Sequence, residues 1–144
     1  MFVHLNTHSV YSEMSGLLPL KKLIQLSKVN GMESLALTDV NCLSGFINFV
    51  KYCNSMEVKP IAGANLIAKD EDIIVLVENQ IGYENLCRII SNLHDNANQK
   101  VSDMIISYPS GLFILTGNYL VLKQLKPVIS NTHLFIELRP GGSE

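Results

Sequence analysis

The sequence lacks most of the features that assign a chain to a special class of protein. Among its 144 residues there is no tryptophan, only 17% are charged, and the formal net charge is −2. So small a net charge gives no overall basic field that would draw the chain to nucleic acid. No apolar run approaches the roughly 18 residues that a transmembrane helix needs, and no repeat or low-complexity stretch occurs.

Cysteine is also scarce. The three cysteines, Cys42, Cys53 and Cys87, are scattered and form no Cys-x-x-Cys pair. An odd cysteine count, with an N-terminus too short and polar for a secretion signal, predicts a reduced, cytoplasmic protein. Apolar residues make up 47% of the chain, which is enough for one domain with a real core.

Apolar segments alternate with amphipathic segments along the chain. This alternation predicts parallel βαβ units and therefore an α/β fold, in which a closed barrel and an open sheet are both compatible with the pattern. Strands are predicted at residues 2–5, 34–38, 59–68, 72–78, 111–116 and 134–138. Helices are predicted at residues 17–30, 41–55, 82–94, 101–106 and 119–125.

The last predicted strand is followed directly by the sequence RPGGSE, and no returning helix is predicted there. A βαβ unit needs such a helix to cross back over the sheet. We therefore expect residues 1–144 to be an incomplete single domain, with the remainder of a longer parent chain missing.

Polar side chains gather where the predicted strands end, which is where α/β folds place their functional sites. His4, Asn6 and His8 alternate around the end of the first predicted strand, so they would project from one face. Asp39 follows the second strand, and Asn65 lies in the third. This is how an amidohydrolase-type metal site begins, although the carboxamide of Asn6 is a poor metal ligand compared with imidazole.

Three stretches carry a resemblance to a known family. The sequences HLNTHSVYS at residues 4–12, ALTDVN at 36–41 and KPIAGAN at 59–65 resemble the first three motifs of the PHP (polymerase and histidinol phosphatase) domain. The flanking sequences FVHL, GFINFVK, GYENL and LFIELR are similar to the N-terminal PHP domain of bacterial DNA polymerase III alpha subunits. The resemblance covers essentially the whole chain and implies a distorted seven-stranded, TIM-like β/α barrel, truncated here after about six strands.

In metal-bearing members, the resemblance implies a cluster of divalent ions that hydrolyses phosphoesters. Carried over to this chain, its ligand positions are Asn6, His8, Asp39, Val40 and Asn65. The motifs require His-x-His, Asp-His and a carboxylate at these positions, and only His8 and Asp39 match. Because several ligands are lost together, we expect a degenerate site with no bound metal, no catalytic residue and no cofactor-binding residue in this chain.

Two functions of different classes follow. The first is a structural or subunit-docking PHP fragment of the alpha subunit of DNA polymerase III, in DNA replication. The resemblance then implies a parent DNA-directed DNA polymerase, a nucleotidyltransferase that uses Mg²⁺, with catalytic carboxylates in absent downstream segments. Its expected partners are other polymerase III subunits, including a proofreading exonuclease subunit, and DNA through the parent polymerase, but no membrane. The alternative is a metal-dependent phosphoesterase or 3′–5′ exonuclease, with Zn or Mn in an intact PHP site.

Four residues also receive individual predictions. His8 is expected to be a hydrogen-bonded relic of the metal site, and His4 to be structural. Asp39 is expected to cap the following turn or the second helix. Tyr11 is expected to pack and hydrogen-bond within a loop that covers the mouth of the barrel.

Overall fold

The computed structural model describes residues 2–12, 15–96 and 98–138. Within them, five helices and five strands follow one another along the chain. They are α1 (Leu20–Val29), β1 (Ser34–Leu37), α2 (Phe46–Ser55), β2 (Lys59–Ala68), β3 (Glu71–Val77), α3 (Gln80–Asp95), α4 (Val101–Ser107), β4 (Leu112–Thr116), α5 (Tyr119–Leu125) and β5 (Leu134–Ile136). None of the described helices is long and apolar enough to span a bilayer.

The strands hydrogen-bond in the order β1-β2-β3-β4-β5, so the described part of the sheet is open. β1 and β2 are parallel, as are β4 and β5, whereas β3 and β4 are antiparallel. The predicted α/β class is confirmed, and the predicted parallel βαβ units are found at β1–α2–β2 and β4–α5–β5; the antiparallel β3–β4 pair was not predicted. Lys69 and Asp70 alone join β2 to β3, and both have positive φ, 51° and 62°, as a type I′ hairpin turn requires.

The first predicted strand, residues 2–5, is not a strand in the structure. Residues 4–7 instead lie beside β1 and the residue after it, through two backbone hydrogen bonds, from the Ala36 N–H to the His4 carbonyl (3.1 Å) and from the Thr38 N–H to the Thr7 carbonyl (2.9 Å). The two acceptors, His4 and Thr7, are three residues apart, whereas the two donors, Ala36 and Thr38, are two residues apart. This mismatch is incompatible with a regular β-ladder. The described sheet accordingly has five strands and not six.

Backbone conformation also corrects the predicted start of the second helix. Asn41, at the predicted start, has φ 50°, which no residue inside a right-handed helix adopts, and α2 begins only at Phe46. By contrast, Gly31 follows α1 with φ 73°, in the left-handed conformation that the sequence predicts there.

The chain divides into two compact units, residues 1–65 and 66–144. In the first unit, α1 and α2 bury one face together with β1, in a core that contains Leu20, Ile24, Leu35, Phe49 and Cys53. In the second unit, the buried side chains come from β3 and β4 and from the three helices α3, α4 and α5; they include Ile73, Val75, Leu86, Ile89, Met104, Ile114 and Leu125.

A buried carboxylate connects two elements of the second unit. Glu71, at the start of β3, is only 6% exposed and accepts hydrogen bonds from the Ser102 backbone N–H (2.8 Å) and the Ser102 hydroxyl (2.7 Å). Ser102 lies in the first turn of α4, where backbone N–H groups have no partner within the helix. Glu71 therefore fixes the start of α4 against the start of β3.

Burial also lowers the reactivity of one of the three cysteines. Cys53 is fully buried in α2, and this burial raises the pKa of its thiol from 9.0 to about 12. Cys42 and Cys87 are half-buried. Thiol reagents attack the thiolate, and the raised pKa keeps Cys53 protonated at pH 8.

We therefore expect a chromogenic disulfide reagent at pH 8 to modify two thiols in the native protein and three in denaturant. A Cys87→Ser control should lower the native count to one. Rapid modification of all three native thiols, measured by absorbance, would show that Cys53 is not protected.

Candidate functional site

The Asp39 carboxylate, directly after β1, is the centre of a buried hydrogen-bond cluster. It is 1% exposed. Its Oδ1 accepts hydrogen bonds from the Ser9 backbone N–H (2.6 Å) and the Ser12 hydroxyl (2.6 Å), and its Oδ2 accepts one from the Ser9 hydroxyl (2.8 Å). The prediction that Asp39 caps the second helix is wrong, because the residue that precedes α2 is Gly45. Asp39 instead anchors a loop some 30 residues earlier in the chain.

Each of the two serine hydroxyls both donates and accepts a hydrogen bond. Each donates to Asp39, and each also accepts a backbone N–H: Ser9 from Tyr11 (3.2 Å) and Ser12 from Val40 (2.9 Å). Ser9 and Ser12 are as fully buried as the carboxylate. Hydrogen bonds within the turn and hydrogen bonds to the end of β1 therefore both stabilise the turn at residues 9–12.

Two glycines allow the close packing around this turn. A Cβ atom at Gly16 would collide with the backbone carbonyl of Ser9. A Cβ atom at Gly45 would lie 2.7 Å from the ring of Tyr11, so that ring packs directly on the Gly45 backbone. Cys42 adds a weak hydrogen bond from its thiol to the Tyr11 carbonyl (3.6 Å). The expected packing role of Tyr11 in this loop is confirmed.

The second and third motif positions meet beyond the end of the β1–β2 ladder. Val40 and Asn65 form an isolated parallel bridge. The Asn41 N–H donates to the Asn65 carbonyl (3.0 Å), and the Asn65 N–H donates to the Asp39 carbonyl (3.2 Å). The fold therefore brings the backbone of these two candidate positions together.

Two side-chain atoms at the candidate ligand positions are buried without a hydrogen-bond partner, His8 Nε2 and Asn65 Oδ1. Both atoms can donate a lone pair to a cation, but both belong to neutral side chains. The expectation that His8 is a hydrogen-bonded relic is wrong for its Nε2 atom. An unsatisfied buried polar atom lowers the stability of the folded state by about 1–3 kcal/mol. The polar side chains at these two positions are therefore not explained by a contribution to folding.

His4, Asn6 and His8 line one pocket of about 320 Å³. Its other wall comes largely from α1, through Leu23, Leu26, Ser27 and Asn30. His4 also packs edge-on against Phe2, with ring centroids 4.8 Å apart. Asp39 and Asn65 do not line this pocket. His4, Asn6 and His8 therefore line a pocket that includes neither Asp39 nor Asn65.

These residues fit a divalent metal cluster poorly. Val40 has no donor atom, and each Asp39 oxygen already accepts a hydrogen bond from Ser9 or Ser12. The Asn6 carboxamide oxygen lies 3.5 Å from the Thr38 hydroxyl. Among the described residues, no group of three or more His, Cys, Asp and Glu side chains could hold a metal ion. Asp39 is the one carboxylate among the five candidate positions, too few to neutralise several divalent cations.

Sequence reasoning missed Ser9 and Ser12, the two side chains that bind Asp39. Small polar residues in a loop have many possible roles, and nothing in the sequence links them to an aspartate 27 to 30 positions later. The visible signal was the composition of the turn, where serine, tyrosine and glycine follow His8 closely.

The sequence pattern of the PHP domain family matches residues 4–132. The chain belongs to this family. The match includes all five candidate ligand positions, Asn6, His8, Asp39, Val40 and Asn65.

Curated relatives point to one group of PHP proteins. The chain is 31% identical over 128 residues to the DNA polymerase III subunit alpha of Vibrio cholerae, and 34% identical over 128 residues to that of Escherichia coli O6:H1. Each alignment covers 81% of this chain but only 11% of the relative. This PHP domain is thus homologous to the N-terminal PHP region of those polymerase subunits, and spans about a ninth of their length.

Among solved structures, an amidohydrolase from Chromobacterium violaceum resembles the chain with a TM-score of 0.53 at 18% identity. The likeness covers 65% of this chain and 33% of that protein. At so low an identity it speaks for the fold alone. It confirms the fold class expected from the sequence, a β/α architecture of the barrel-forming type.

Replacing the central carboxylate tests the hydrogen-bond cluster. In Asp39→Asn, an amide NH₂ would face hydroxyl and N–H donors, so we expect the free energy of unfolding to fall by about 2–3 kcal/mol. The measurement is urea denaturation followed by circular dichroism.

The matched control is Asp95→Asn, at an exposed position at the end of α3. This control should change stability by less than about 0.5 kcal/mol. Equal stability of the two variants would contradict the anchoring role of Asp39.

Proposed function

We propose that this chain is the N-terminal part of the alpha subunit of a bacterial DNA polymerase III, an incomplete PHP domain with a structural and subunit-docking role in DNA replication. Homology to the PHP region of such subunits supports the identity of the parent. The chemistry of the candidate ligand positions supports a structural role in place of hydrolysis.

The observation that carries the structural role is the state of Asp39. In a phosphoesterase of this family, that carboxylate would be a metal ligand. Here three short hydrogen bonds from Ser9 and Ser12 direct it into the turn at residues 9–12. Three of the roughly four lone-pair sites of this carboxylate accept hydrogen bonds, so a metal ion would compete with the two serines for it.

The substitutions at the other positions support the same role. Val40 contributes its backbone N–H to Ser12 and no ligand atom. Asn65 replaces the negative charge that would bridge two cations with a neutral carboxamide. The remaining donors, His8 Nε2 and Asn65 Oδ1, are both neutral, and a hard divalent cation binds neutral oxygen and nitrogen weakly without carboxylates.

A metal-dependent phosphoesterase or 3′–5′ exonuclease is the second candidate. The observation that favours it is the presence of two buried, unsatisfied donor atoms at positions where the family has ligands. In that case Zn or Mn would bind there and supply the hydrolytic water, with further ligands from outside the described residues.

The polymerase context defines the remaining expectations. The parent would be a cytoplasmic DNA-directed DNA polymerase with Mg²⁺ at its own catalytic carboxylates, outside this chain. Its partners would be other polymerase III subunits, among them a proofreading exonuclease, and DNA. The weak net charge of −2 is consistent with a region that contacts protein more than DNA.

Metal analysis separates the two candidates. After equilibration with Mn²⁺ or Zn²⁺ and desalting, we expect the purified protein to retain far less than one ion per chain by mass spectrometry, and to hydrolyse no phosphodiester. The combined variant Asn6→His, Val40→His and Asn65→Glu restores three donors and should bind metal more than about tenfold tighter. Stoichiometric metal in the unchanged protein, with activity that a chelator removes, would establish the phosphoesterase instead.

The parent protein can be tested in the source organism. We expect the reading frame to continue beyond Glu144 and to encode a product many times larger than this chain, since the aligned segment is 11% of the Vibrio cholerae subunit. An epitope tag inserted near the start of the chromosomal gene, followed by immunoblotting, measures that size. A product the size of a single domain would favour a free-standing enzyme.

A further inference from the structure

Helix α1 ends at Asn30-Gly31, the one Asn-Gly pair in the sequence. An asparagine side chain can react with the backbone nitrogen of the residue that follows it, with loss of ammonia. Glycine favours this reaction because it has no Cβ to shield its nitrogen. Asparagine is for this reason one of the thermolabile residues of proteins. Asn30 is therefore the asparagine of this chain that is most prone to deamidation by sequence.

Hydrogen bonds engage both reacting groups in the folded chain. The Asn30 Nδ2 donates to the Leu26 carbonyl (2.7 Å), and the Gly31 N–H donates to the Lys28 carbonyl (3.0 Å). The Gly31 nitrogen reacts only after it has lost its proton, so its hydrogen bond to Lys28 must break first. The end of α1 thus keeps both groups in an unreactive state.

Backbone geometry separates the two groups further. In the succinimide ring that the reaction forms, the Gly31 nitrogen must eclipse the Cβ of Asn30 about the Cα–C bond. The ψ of Asn30 is 13°, so the Gly31 nitrogen instead nearly eclipses the backbone nitrogen of Asn30. Ring closure therefore requires a large rotation about this bond. That rotation would also break the hydrogen bond from the Met32 N–H to the Ser27 carbonyl (2.9 Å), which ties the following residue to the helix.

We propose that Asn30 is a deamidation site that the folded end of α1 holds in check, and that the reaction irreversibly weakens this helix end. The reaction starts when the terminal turn opens locally, which costs less free energy than global unfolding. Gly31 loses its N–H proton to a solvent base, and its nitrogen bonds to Asn30 Cγ. The Cγ–Nδ2 bond breaks, and Nδ2 takes up a proton and leaves as ammonia. Water then opens the ring at either carbonyl, which leaves aspartate or isoaspartate at position 30.

The product carries a carboxylate where Asn30 has a carboxamide. A carboxylate has no proton to donate to the Leu26 carbonyl, so that hydrogen bond is lost. Its negative charge also lies at the C-terminus of α1, where the helix dipole disfavours it. The modified helix end therefore opens more readily, and the loss of ammonia makes the change irreversible.

Peptide mapping by mass spectrometry at pH 8 tests the protection, on the native chain and on the chain unfolded in urea. We expect deamidation at position 30 to be at least about tenfold slower in the native chain. Two variants of Val29, which is 83% exposed in the last turn of α1, separate the effect of the turn from that of the sequence. The ratio of native to unfolded rate should be about fivefold higher in Val29→Gly than in Val29→Ala, because glycine favours the open turn.

Two variants of Asn30 test the effect of the product. Asn30→Asp and Asn30→Ala both remove the hydrogen bond to Leu26, but only the first adds a charge. We expect Asn30→Asp to lower the midpoint of urea denaturation more than Asn30→Ala at low salt, and the difference to shrink at high salt. Deamidation of the native chain as fast as in urea, equal rate ratios for the two Val29 variants, or equal midpoints for the two Asn30 variants would overturn the proposal.

Discussion

The buried carboxylate of Asp39 is the contact on which the first unit depends most. A carboxylate at this depth needs donors, because burying an unpaired charge costs several kcal/mol. Ser9 and Ser12 supply them, and in doing so they fix the turn at residues 9–12 against the end of β1. The turn then packs Tyr11 on Gly45 and brings Gly16 against the backbone of Ser9. The contacts of this one buried side chain thus position the loop, the strand end and the start of α2.

The hydrogen bonds to Asp39 satisfy this buried carboxylate without a bound metal ion. The chain belongs to the PHP family and brings Val40 and Asn65 together beyond the ladder, although the Val40 side chain has no donor atom and the Asn65 side chain is neutral. A fold can persist when its site changes, because packing and backbone pairing stabilise it without the ligands. The hydroxyls of Ser9 and Ser12 donate hydrogen bonds to the Asp39 carboxylate. A metal ion bound by new ligands at positions 6, 40 and 65 would therefore still compete with these two serines for Asp39.

The sequence predicted correctly those elements whose bounds depend on residues close together in the chain. The bounds of β2 and α5 agree with the prediction, and Gly31 ends α1 in the expected conformation. Features that depend on distant partners were not predictable. The irregular pairing of residues 2–5 depends on β1, and the late start of α2 follows from the positive φ of Asn41, whose N–H bonds to Asn65. For the site, residue identity indicated which candidate positions carry a side chain that binds metals poorly, but the bonds from Ser9 and Ser12 to Asp39 span about thirty residues and leave no local signal.

The tight turn at Lys69 and Asp70 has a consequence for how the chain folds. The β2–β3 hairpin closes over two residues, whereas the parallel pair β1–β2 closes only across the whole of α2. Loop closure costs more entropy for longer loops, and hairpins form within microseconds. We therefore expect this hairpin to form before the β1–β2 pair, which carries the PHP motifs.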